Sequence, residues 1–134
     1  MPMITIKGKD FSYDESQIIN FAEGLIGLPE MRRAVLISMD EFEPFCWLAS
    51  IESEKTRFVV VNPHEVFASY EPFEPRVPSD AKLQTLAIVN ISSDWQKTTV
   101  NLRAPLVINT ETQSGAQLVL SESSYQFAES LIQN

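Results

Sequence analysis

Phe45-Cys46-Trp47-Leu48-Ala49-Ser50-Ile51, followed after a short polar break by Thr56-Arg57-Phe58-Val59-Val60-Val61, is the stretch that decides the fold. Both runs are short and rich in aromatic and β-branched residues, which fit a pleated, packed surface. So few residues separate them that an antiparallel hairpin is the natural pairing. Asn62-Pro63 ends the second run, because proline has no N–H to give to a ladder. Working outward, the same grammar recurs. Met3 to Ile6, Gln17 to Phe21 and Ala34 to Ser38 read as strands before the hairpin. Leu86 to Ile91, Thr98 to Leu102, Pro105 to Asn109 and Gln117 to Leu120 read as strands after it. Ser92-Ser93-Asp94 is a turn that pairs the first two of these.

Between the runs lie breakers. Gly24-Leu25-Ile26-Gly27-Leu28-Pro29 interrupts any regular element, and Pro29-Glu30-Met31 suits one helical turn. His64 to Phe67 suits another. Tyr70 to Pro78 holds Pro72, Pro75 and Pro78, which exclude a helix interior and a central strand. Only the end looks helical: Tyr125, Ala128, Leu131 and Ile132 fall near one helical face, with Ser123 or Ser124 as a cap. Residues 121–134 are expected to be either a short docked helix or a loose segment. The fold class is therefore all-β and mostly antiparallel. It is expected to be a single small barrel or sandwich of about eight to ten short strands, with short helical turns, over one domain spanning 1–134. No repeat of 20–50 residues points to a solenoid or propeller.

Composition agrees. The chain has 134 residues, 44% of them hydrophobic and 21% charged, which is ordinary for a globular domain. Such a chain buries roughly 70% of the surface that its unfolded form exposes. Eighteen acidic residues stand against ten basic ones, a net charge of −8. After Arg103 there is no Lys or Arg. This balance argues against direct nucleic-acid binding, which needs clustered cations, and suits steering toward a basic protein. No run approaches ~18 apolar residues, so no membrane span is expected. Residues 1–10 lack the apolar core of a signal peptide, and the reading is a cytoplasmic protein.

Catalytic signals are missing. There is no G-x-S-x-G, no P-loop and no G-x-G-x-x-G. One Cys and one His leave no soft-ligand cluster for zinc, and no metal or cofactor is expected. Cys46 lies within an apolar strand, where a thiol acts as a small hydrophobe. His64 follows a strand exit and reads as an exposed residue rather than a catalytic partner. The cluster Asp40, Glu41 and Glu43 lacks the spacing of a calcium loop and reads as a solvated connection. The residues themselves lead to an acidic binding module, not an enzyme.

Four stretches in order resemble the FliW family of bacterial flagellar assembly factors. They are Phe21-Ala22-Glu23-Gly24-Leu25-Ile26-Gly27-Leu28-Pro29-Glu30, Pro44-Phe45-Cys46-Trp47-Leu48-Ala49-Ser50, Phe58-Val59-Val60-Val61-Asn62-Pro63, and residues 98–109 from Thr98 through Pro105 to Asn109. Leu28 stands where the family often has Phe, and Ala49 where Gln is usual. The likeness runs from about Thr5 to Leu120. It implies a non-enzymatic regulator that is monomeric when free. Such a protein binds flagellin and sequesters CsrA, a small basic RNA-binding dimer that represses flagellin translation. The alternative is a dedicated flagellin chaperone without CsrA regulation.

Candidate binding residues are Pro44, Phe45, Tyr70, Glu71, Asn101, Pro105 and Asn109. Pro72 biases Glu71 toward an extended backbone, so that Tyr70 and Glu71 project together as an aromatic anchor beside a carboxylate. Equally, Tyr70 caps the core and Glu71 is merely solvated. Asn101 and Asn109 flank Pro105, either bonding backbone at a strand end or recognising a partner's backbone. Phe45 shares a strand face with Trp47, as core or as interface. Pro44 and Pro105 are read as rims of a pocket.

Overall fold

The computed structural model describes residues 2–38, 40–53, 55–67, 69–70, 82–120 and 125–132, with the backbone alone of Asp40. Among the described residues the chain forms eleven strands and four 3-10 turns. They are β1 (Met3–Ile6), β2 (Lys9–Ser12), β3 (Ile19–Phe21), β4 (Arg33–Ser38), β5 (Cys46–Ser50) and β6 (Arg57–Val61). The remainder are β7 (Leu83–Asn90), β8 (Thr99–Val100), β9 (Leu106–Asn109), β10 (Ser114–Gln117) and β11 (Glu129–Ser130). Strands β3, β4, β5, β6, β7, β9 and β10 close into a seven-stranded barrel. Every pairing in it is antiparallel except β10 with β3, where Ser114 lies beside Asn20 and Gly115 beside Phe21. Closure is possible because β7 is long. Leu83–Leu86 pairs with β9, while Ala87–Val89 pairs with β6. Of barrel and sandwich, the chain is a barrel.

The hairpin that decided the fold is present. Trp47 pairs with Val59 and Leu48 with Phe58. Leu48, Val60, Leu86, Leu106 and Ile108 point inward and pack around the buried rings and chains of Phe21 and Met31. A barrel this small is filled by side chains and leaves no lumen. Gly115 belongs to that packing: a Cβ there would sit 2.6 Å from the Phe21 ring.

The outward residues of the same strands are also apolar. Val35, Ile37 and Ala49 lie beneath the β1–β2 hairpin, with Ile6 and Tyr13 against them. Val59, Val61, Ala87 and Val89 lie beneath β8, Tyr70, Tyr125 and Leu131. A strand covered on both faces reads as a continuous apolar run. That is why β4 to β7 were legible as Ala34-Val35-Leu36-Ile37 and Phe58-Val59-Val60-Val61 rather than as alternating patterns.

Three differences from the sequence expectation have physical causes. Residues 125–132 form no helix: Leu131 N–H donates to the Thr98 carbonyl at 3.0 Å and β11 adds to β8. Of the apolar positions that mimicked a helix face, Tyr125 and Leu131 pack on the barrel wall while Ala128 is exposed, since a segment this short takes its shape from packing. Pro29-Glu30 is a plain turn, not a helical one, and delivers Met31 into the interior. There Leu25 and Leu28 exchange backbone hydrogen bonds of 3.0 and 2.9 Å around Ile26-Gly27, with Gly27 at φ +82°. Strand β2 was not foreseen, because Lys9, Asp10 and Ser12 carry little β preference.

Candidate functional site

The sequence-predicted residues fall into a few settings, best built from the outer wall of β5 to β8. Tyr70 is buried there. Its hydroxyl donates to the Leu102 carbonyl at 2.7 Å, and its ring lies 4.6 Å from that of Tyr125 and 5.7 Å from that of His64. Burial, and then the neighbouring Tyr125, push the Tyr70 phenol well above its ordinary value, so it stays a neutral donor. Of its two readings, Tyr70 takes the core-capping one. Glu71 lies outside the described residues.

Asn101 and Asn109 use their side-chain oxygens locally. Asn101 Oδ1 accepts from Ala104 N–H at 3.0 Å and shapes the turn into Pro105. Asn109 Oδ1 accepts from Glu111 and Thr112 N–H at 2.9 and 3.1 Å, closing the β9–β10 turn. Pro105 is buried, and its carbonyl accepts from Leu118 N–H at 3.0 Å. Neither Pro44 nor Pro105 lines the hollow of 440 Å³ beside Gln84 and Gln113, nor the slot of 280 Å³ between Ile26 and Ala116.

Phe45 is different, because it stands half-buried at a surface with aromatic neighbours. Its backbone N–H donates to the Phe42 carbonyl at 2.9 Å, which ties it to the 3-10 turn Asp40–Phe42. Its ring meets Trp95 edge to face, centroids 6.0 Å apart and planes at 87°. Such a pair contributes about 0.5–1.5 kcal/mol beyond its buried area. Trp95 opens the 3-10 turn Trp95–Lys97, whose cap is Asp94 accepting from Gln96 N–H at 3.1 Å. Buried Thr98 fixes this loop from below: its hydroxyl accepts from Ser92 N–H at 3.1 Å, and its N–H donates to the Trp95 carbonyl at 3.1 Å. Phe42 is 60% exposed and Trp95 45%, both high for large aromatics. Sequence reasoning passed over both. The available signal was a large apolar residue inside a charged connection: Phe42 between Glu41 and Glu43, and Trp95 after Asp94.

Trp47 shares the outer face with Phe45, as alternation requires. It bridges the two outer clusters, with Lys7 Nζ and Arg57 Cζ each 5.5 Å from its ring centre. Cys46 points inward to the barrel core, whereas the His64 ring lies tilted against Tyr70 outside. The two do not form a nucleophile–base pair. Among the described residues no three His, Cys, Asp or Glu side chains gather as metal ligands. Among them, too, no helix is long and apolar enough to cross a membrane. The chemistry this surface offers is recognition: rigid turns, exposed rings and carboxylates.

A family model described as FliW protein matches residues 4–131. The flagellar assembly factor FliW of Clostridium beijerinckii is 31% identical over 132 residues, covering 92% of each chain. That of Clostridium botulinum (strain Alaska E43 / Type E3) is 34% identical over 131 residues, covering 92% of this chain and 93% of the relative. That of Geobacter sulfurreducens is 33% identical over 132 residues, covering 93% and 82%. A crystal structure of the flagellar assembly factor FliW superposes with a TM-score of 0.88 at 26% identity, over 99% of both chains.

Proposed function

The chain belongs to the FliW family, and from that membership we propose that it is a flagellar assembly factor acting in the cytoplasm by binding, not by catalysis. In this reading it sequesters the translational repressor CsrA and binds flagellin. Flagellin released by export leaves the protein free to take CsrA, and translation resumes. Accumulated flagellin occupies it, and repression returns. The observation that carries the reading is the match along the whole chain rather than at one motif.

The physics supports this role. A net charge of −8 favours encounter with a basic dimer and repels RNA. The coupling must be reciprocal: if flagellin weakens CsrA binding by some factor, CsrA weakens flagellin binding by the same factor. A gel-shift experiment tests the proposal. Adding the protein to a complex of CsrA and flagellin messenger RNA should release the RNA, and adding flagellin should restore the complex. RNA that stays bound throughout would overturn the CsrA half of the reading and leave a flagellin chaperone.

Glu71 remains a candidate contact for CsrA. Glu71→Lys is expected to weaken CsrA binding while changing stability by only about 0.5 kcal/mol. Calorimetric titration beside a thermal melt checks both halves of that expectation.

A further inference from the structure

We propose that the paired turns carrying Phe42, Phe45 and Trp95 are the docking surface for a cationic, amphipathic segment of the basic partner; this rests on the CsrA reading above. Three observations lead there. The first is pre-organised apolar area. Trp95 is held by Phe45 and by the loop fixed on Thr98, and Phe42 is tied to Phe45 through the backbone. An exposed ring already held by a neighbour, as Trp95 is, and an exposed ring on a backbone-tied turn, as Phe42 is, lose less freedom on binding than rings on a loose loop.

The second is charge. Glu41, Glu43 and Asp94 flank the rings in sequence and are exposed, while Lys97 is the one cation in residues 40–45 and 91–97. A partner segment that lays apolar residues on Phe42 and Trp95 would bring its Lys or Arg to these carboxylates.

The third is a contrast among the aromatic rings. The chain supplies its own cations to several of them. Lys7 and Arg57 cover Trp47, Lys9 covers Phe11, and Arg103 covers Phe127 at 5.4 Å. Among the described residues none covers Phe42 or Trp95. The place that one of the chain's own cations takes on the other rings is left to a cation from outside.

The test is calorimetric titration with purified CsrA of the unaltered chain and of Trp95→Ala, Phe42→Ala and Phe127→Ala, each checked by thermal melt. Trp95→Ala and Phe42→Ala should each weaken binding about tenfold or more, and Phe127→Ala should leave it unchanged. Phe42 is exposed enough that its variant serves should Trp95→Ala fail to fold. Folded variants that bind like the unaltered chain would overturn the assignment while the CsrA reading stands. An unaltered chain that binds no CsrA would overturn both. Sedimentation showing a dimer that Phe42→Ala dissolves would make a second copy the occupant and would also overturn it.

Discussion

Tyr70 had two readings in sequence, a projecting anchor and a cap on the core, and its burial accords with the second. It sits beside Glu71 and three prolines, the setting of a projecting anchor. What decides its place is Leu102 and Tyr125, far along the chain, which supply the acceptor and the lid. Tyr70→Phe should therefore cost about 1–3 kcal/mol, because the buried Leu102 carbonyl loses its donor. It should also change the response to alkali. An unfolded tyrosine titrates near pH ~10, while burial raises the folded value. The folded chain then holds the proton more tightly, so this share of stability is complete below pH ~10 and is lost as pH climbs above it. Thermal melts from about pH 8 to about pH 11 should show a shallower alkaline decline in Tyr70→Phe than in the unaltered chain. Asn101 and Asn109 fared as their residue type suggests, since short amides at strand ends bond their own backbone.

Among the elements, legibility followed burial on two faces. Strands β4 to β6 and the Leu86–Val89 part of β7 are covered inside and out, so their interiors are apolar runs that stood clear of their surroundings, while the less buried start of β7, Leu83-Gln84-Thr85, was missed. Strand β10 (Ser-Gly-Ala-Gln) was read too late in the chain, as Gln117 to Leu120. Its glycine answers to the Phe21 ring, a constraint set by a strand distant in sequence. The C-terminal stretch failed for the opposite reason: its spacing suits a helix, yet the barrel wall offers more contact to an extended chain. The Gln126 carbonyl accepts from the N–H groups of Leu102 and Arg103 at 3.1 and 3.2 Å. Truncation after Leu120 should therefore remove protection at those two amides while leaving the interior amides of β5 and β6 protected. Hydrogen exchange read residue by residue checks this. Residues 40–44 read as a connection and Ser92-Ser93-Asp94 as a turn, but Phe45, Ile91 and Thr98 were read into strands that stop just short of them, and the meeting of Phe45 with Trp95 depends on closure and has no signal in sequence.

At the scale of the whole molecule, the chain is a filled barrel whose wall is covered on its outer face along β4 to β7, with a net charge of −8. Such a body is a platform more than a reaction vessel. If its charge guides the partner, the affinity for CsrA should fall steeply between about 50 mM and about 500 mM salt, mostly through a slower association rate. Stopped-flow association at several ionic strengths measures this. An unchanged association rate would remove steering from the account. The most direct test of the central claim is calorimetric titration of the protein with CsrA, first alone and then saturated with flagellin. The account predicts binding that flagellin abolishes or strongly weakens. Retained flagellin binding with no heat from CsrA in either titration would contradict it.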